Sequence, residues 1–132
     1  MSGTKRTVAL PCMTEGGEQQ SLFLWALYRR AALPELDLLY HIPNGGSRSK
    51  AEAGRFKAEG VKAGVPDICL PVARGGFHGL YIELKREHGG RKSAAQRKWL
   101  HDLQEQGYRA VVCRGWREAS EALEEYLGGG AS

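Results

Sequence analysis

The sequence is poor in the features that would staple, anchor or export it. Its 132 residues hold three cysteines, Cys12, Cys69 and Cys113, an odd number, widely spaced and without a CxxC pair. That spacing fits neither a disulfide framework nor a zinc knuckle and leaves the thiols as inert or buried side chains. The four histidines, His41, His78, His88 and His101, show no HxxH or HxxxH spacing, which speaks against a histidine zinc site. No apolar run approaches the length of a membrane span, and no charged–apolar–small pattern marks the N-terminus for secretion. There is no internal repeat. With 42% apolar and 26% charged residues the composition is that of an ordinary globular chain, not a disordered tail, a collagen-like fibre or a coiled coil. The length suits one domain that buries its own core. We read a soluble, cytoplasmic protein without a membrane partner.

What is present is charge in a particular order. The net charge is +4, yet residues 1–47 sum to zero, 48–62 to +3, 63–84 to −1, 85–98 to +5 and 99–132 to −3. Two basic blocks bracket a slightly acidic centre, an arrangement suited to holding a polyanion against an acidic site. Arg48, Lys50, Lys62, Arg91, Lys92, Arg97 and Lys98 are candidates for backbone phosphate contacts. The acidic last segment reads as a solvent-facing helix.

Local pattern predicts the order helix, strand, helix, hairpin, helix, strand, helix. Residues 18–33 read as a helix with a broad apolar face, stopped by Pro34. Residues 38–42 read as a short strand, followed by turn chemistry at Asn44-Gly45-Gly46. Ser49, with Glu52 three residues on, resembles a capping box that opens a helix ended by Gly60. Residues 67–72 and 79–85 read as strands joined by a glycine turn, hence antiparallel. In the second, Leu80, Ile82 and Leu84 alternate with Tyr81, Glu83 and Lys85. Ser93 caps a helix to Gln106, residues 108–114 form a β-branched strand, and 116–127 form a last helix. Residues 1–14 read as an N-terminal arm, 15–127 as the domain and 128–132 as a tail. The result is a single compact α/β domain with a central mixed sheet flanked by helices.

Chemistry concentrates at Asp67, fifteen intervening residues, then Glu83-Leu84-Lys85. Period two puts Glu83 and Lys85 on one face of their strand, and an antiparallel neighbour brings Asp67 beside Glu83. Two close carboxylates repel unless a cation lies between them, and hard oxygen donors select magnesium or manganese over zinc. Lys85 beside such a pair suits phosphodiester cleavage, by positioning water or stabilising charge on phosphate.

The segments Gly64-Val65-Pro66-Asp67, Tyr81-Ile82-Glu83-Leu84-Lys85 and Ser93-Ala94-Ala95-Gln96-Arg97-Lys98-Trp99 together resemble the VRR-NUC branch of the PD-(D/E)xK nuclease superfamily, in its stand-alone phage and bacterial form. His41-Ile42-Pro43-Asn44-Gly45-Gly46 and the Glu18-Gln19 helix start are similar to that branch too, so the likeness runs over about residues 18–115. The resemblance implies a restriction-endonuclease-like fold. It implies Mg2+ or Mn2+ held by Asp67, Glu83 and the Leu84 carbonyl, a catalytic Lys85, and Gln96 facing the site. Glu18 would be the helix acid that reaches the metal, with Glu15 the alternative. His41 and Asn44 line the cleft or are turn and core-edge residues. Trp99 either stacks on a base or anchors α-helix to core; the core role is the reading favoured here.

The activity implied is a metal-dependent, structure-selective DNA endonuclease. The stand-alone form suggests a Holliday-junction resolvase, which needs two sites and hence a homodimer. A flap- or nick-directed nuclease and a non-catalytic DNA-binding module are the alternatives. No recognition helix or added domain supplies base reading, so low sequence specificity is expected.

Overall fold

The structure, a computed structural model, describes residues 13–43 and 49–128. Expectations for the N-terminal arm up to residue 12, for the turn and candidate contacts at Asn44 and Arg48, and for residues 129–132 lie outside the described residues.

The first helix, α1, runs over Glu15–Arg29, starting and ending earlier than the apolar pattern predicts. Thr14 is the reason for the early start: its side chain accepts from the Gly17 amide and caps the helix. After Arg29 the chain tightens into a 3-10 helix, Pro34–Leu38, with Pro34 in its first turn. That helix takes Leu38 from the expected strand and uses Leu39 as its cap, so β1 shrinks to Tyr40–His41. The second helix, α2, spans Lys50–Ala58 and is capped by Ser49, whose hydroxyl accepts from the Glu52 amide. It buries none of its residues.

The predicted antiparallel hairpin forms, with its first strand shortened from 67–72 to β2 at Ile68–Leu70 and the second, β3, at Leu80–Lys85. Helix α3 (Ala94–Glu105), β4 (Arg109–Arg114) and α4 (Trp116–Leu127) complete the order. The sheet is mixed, in the order β1-β2-β3-β4. β1 and β2 pair antiparallel, as do β2 and β3, while β3 and β4 run parallel with α3 as the crossover.

Register divides the sheet into two faces. Ile68 pairs with Ile82 and Leu70 with Leu80, and these join Leu22, Ala26, Ala119 and Leu123 in the core beneath α1 and α4. On the other face Cys69 pairs with Tyr81, Ala110 with Tyr81, Val112 with Glu83 and Arg114 with Lys85. Helix α3 lies over the β4 side of that face. Among the described residues no helix is long and apolar enough to cross a membrane. Cys69 and Cys113 are buried and free, as the spacing predicts.

Candidate active site

The site is built on the polar face of β3. All four residues Ile82–Lys85 are buried, although two of them are charged in water. Glu83 is 2% exposed and Lys85 5%. Charges that deep persist only with close partners. Lys85 Nζ lies 3.5 Å from Glu83 Oε2. Asp67, at the entry to β2, reaches the same place: its Oδ2 accepts from the Leu84 amide at 2.8 Å. The backbone of Glu83 and Lys85 bonds towards β4, and the Gly115 amide donates to the Lys85 carbonyl. Leu84, one residue out of phase, therefore presents its amide and carbonyl towards β2 and Asp67.

Local sequence sets the next member. Ser93 and Gln96 form a full capping box at the start of α3, in which Gln96 Oε1 accepts from the Ser93 amide at 2.8 Å. With that oxygen held, Gln96 Nε2 points into the site and donates to Glu83 Oε2 at 2.7 Å. Lys85 Nζ also donates to Gln96 Oε1, at 3.3 Å. The cap residue thus orients both the carboxylate and the lysine.

The electrostatics leave one group unanswered. Glu83 Oε1 is buried and has no hydrogen-bond donor. Burial, and then the charge of Asp67, push the Glu83 carboxyl up to about 8, against the lowering effect of Lys85. Asp67 is also raised, by burial first and by the charge of Glu15; the Leu84 amide, His41 and Lys85 act in the opposite direction. A proton shared between the two carboxyls relieves this, and so does a cation. Asp67 and Glu83 offer hard oxygen donors with one lone-pair-bearing oxygen free, and the Leu84 carbonyl faces the same side. That set fits a divalent cation which keeps several waters. Among the described residues no group of three or more His, Cys, Asp or Glu is placed to hold a metal.

The remaining predicted residues divide. His41 comes to the site: Nδ1 lies 2.9 Å from the Asp67 carbonyl oxygen. Glu18 takes a different place from the one expected. Its side chain is buried and Oε1 accepts from the Trp116 amide at 2.8 Å, capping the start of α4, where Gly115 offers no side chain. Glu15 is the acid of α1 whose charge reaches Asp67. Its Oε2 and the Lys85 Cδ both border Gly90, 3.6 and 3.7 Å from where a Cβ would stand there. One helical turn separates the two glutamates, so both share the face of α1 that looks to β3 and α4.

Of the basic residues, Lys50, Lys62, Arg91, Lys92, Arg97 and Lys98 are all exposed. Arg97 Nη1 donates to the Lys92 carbonyl and ties the loop after β3 to α3. Lys98 pairs with Asp102 at 2.6 Å, on the side of α3 about 200° from Gln96. That geometry turns Lys98 away from the carboxylates. Sequence reasoning missed Arg114. Its guanidinium donates to the carbonyls of Arg86, Gly89 and Gly90 and shapes the basic loop beside Lys85. The period-two pattern of β4 gave a signal for its face but none for its targets. Trp99 is half-buried and stands outside the hydrophobic core, contrary to the anchoring role favoured from its position in α3.

Comparisons with known proteins agree with this geometry. No curated protein matches the chain. A solved structure titled "VRR_NUC domain protein" is 33% identical, superposes with a TM-score of 0.76, and aligns over 89% of this chain and 91% of its own. The two share the PD-(D/E)xK-like arrangement of a mixed four-stranded sheet between helices. The VRR-NUC domain matches residues 13–117, which include α1, every strand and the capping box. This chain belongs to the VRR-NUC family.

Proposed function

We propose that the protein is a Mg2+- or Mn2+-dependent, structure-selective DNA endonuclease that hydrolyses phosphodiester bonds as a homodimer, with a four-way junction as its substrate. Family membership supports a nuclease-type function with DNA as its substrate. The carboxylate pair supports the metal-dependent chemistry: the half-buried Asp67 adjoins the buried Glu83, one Glu83 oxygen lacks a donor, and a buried lysine stands beside them.

Asp67, Glu83 and the Leu84 carbonyl would hold the divalent cation in this reading, with Glu15 acting through water, since Glu18 is committed to the Trp116 amide. When bound, the cation supplies Lewis-acid polarisation of a phosphodiester oxygen and acidifies water in contact with it. The protein's own groups do the positioning. Gln96 fixes the Glu83 carboxylate through Oε2 and leaves Oε1 without a donor, the oxygen that would be available to a cation. Lys85 keeps its ammonium within reach of Glu83, where it stabilises negative charge that grows on a phosphoryl oxygen during attack. His41 steadies the Asp67 backbone. Lys50, Lys62, Arg91, Lys92 and Arg97 hold the flanking phosphates, with Asn44 and Arg48 as the predicted continuation of that surface. Affinity that rests on such contacts falls steeply with salt.

A cleavage assay tests this. Labelled four-way junction, flap, nicked duplex and plain duplex are incubated with wild type and Lys85→Ala in magnesium, manganese or EDTA. Paired, symmetric, metal-dependent cuts in the junction that vanish in the variant are the expected result. Cutting of flaps or nicks alone keeps the site and replaces the resolvase role. Binding without cutting of any substrate refutes catalysis and leaves a DNA-binding module.

A further inference from the structure

Trp99 is the feature that the carboxylate site leaves unexplained. It is a large aromatic residue kept out of the core. Together with Ile42, Pro43, Val61 and Val65 it lines an open groove of about 460 Å³. Lys62 stands at the groove's rim. The volume falls in the range of small-molecule sites, which are commonly apolar walls with a few polar groups at the edge.

Two close approaches hold the groove against the acidic site. The Ile42 amide donates to the Asp67 carbonyl at 2.6 Å, so the Ile42 wall begins where the acid's own backbone ends. Gly64 presses on α3: with φ at +90°, a Cβ there would lie 2.7–2.8 Å from Ala95. Trp99 is one helical turn beyond Ala95, on the same side of α3, and so overhangs residues 61–65. The chain from Gly64 to Asp67 thereby joins the groove to the carboxylates within three residues.

Resting on the reading of the protein as a DNA nuclease, we propose that this groove takes one unpaired nucleobase stacked on Trp99, next to the phosphate presented to Asp67 and Glu83. An indole and aliphatic walls match the flat apolar faces of a base, whatever its identity. Lys62 answers the charge of that nucleotide's phosphate. Glu59 also lines the groove and repels phosphate, which places the sugar–phosphate on the Lys62 side. A fully paired duplex keeps its bases stacked and cannot fill the groove without the cost of flipping one out. Trp99 is then a specificity residue, through which the nuclease domain prefers interrupted DNA.

The test is equilibrium binding in EDTA at fixed salt. The probes are a plain duplex and the same duplex with a single unpaired 2-aminopurine, and the proteins are wild type, Trp99→Ala, Trp99→Leu and Trp99→Phe. Wild type should prefer the interrupted probe and quench its 2-aminopurine. Trp99→Ala and Trp99→Leu should lose about tenfold in affinity for that probe, stay within twofold on plain duplex, and lose the quenching, while Trp99→Phe retains both. Equal losses on both probes, rescue by leucine, or no preference in the wild type would overturn the proposal. The last is also the outcome if the chain's own residues occupy the groove. The nuclease reading fails separately: a wild type that prefers the interrupted probe yet cuts nothing in magnesium or manganese keeps the groove and loses the catalysis.

Discussion

Replacing Glu83 by glutamine should stabilise the metal-free protein, although it removes a residue from the centre of the proposed site. The carboxyl titrates near 8 in the fold against an ordinary 4.5, because burial and the neighbouring Asp67 disfavour its charge. Its stabilising contribution is therefore complete below the unfolded value and is lost as pH rises through about 8. The linkage relation gives a loss of about 3 kcal/mol between pH 5 and pH 8 from this group. Glutamine has no charge to bury. Its carbonyl accepts the Gln96 bond made now by Oε2, and its amide faces Asp67, where Oε1 has no donor. In chelator, thermal or urea unfolding should put Glu83→Gln about 3 kcal/mol above wild type at pH 8, roughly 10 °C in Tm, with the two nearly level at pH 5. Millimolar magnesium should raise the wild type towards the variant and leave the variant unmoved. A variant no more stable than wild type at pH 8, or a gap that ignores pH, would refute the electrostatic account of the pair.

The two acids of α1 should separate cleanly. Glu18→Ala uncovers the Trp116 amide at the start of α4 and should cost about 2 kcal/mol of stability, read by urea unfolding. Glu15→Gln should leave stability alone and weaken magnesium binding in calorimetry, since its charge reaches Asp67. Gly64→Ala should destabilise by about 3 kcal/mol, because the added carbon meets Ala95 at a backbone angle suited to glycine. Light scattering should give twice the 14.5 kDa of one chain; a monomer at assay concentration would rule out paired junction cuts.

By itself the sequence determined what short-range rules control. The alternation of Tyr81 to Lys85 put an acid and a lysine on one strand face, and β3 has that face. Ser93 caps α3 as its position implied, because a cap needs only three residues of chain; that Gln96 closes the box from the other side appears only in the structure. The glycine turn made β2 and β3 antiparallel and brought Asp67 to Glu83. Long-range packing decided the rest. Glu15 and Glu18 are alike by local rules, and only the position of α4 sets one at the Trp116 amide while the other stays near Asp67. The 3-10 helix at Pro34–Leu38 took Leu38 from the expected strand and Leu39 as its cap. Trp99 reads as core from its place at the start of an amphipathic helix; it lines a groove because Gly64 lets the chain before Asp67 come up against α3 beneath it. Such placements depend on contacts between residues far apart in the chain, and spacing along it carries no record of them.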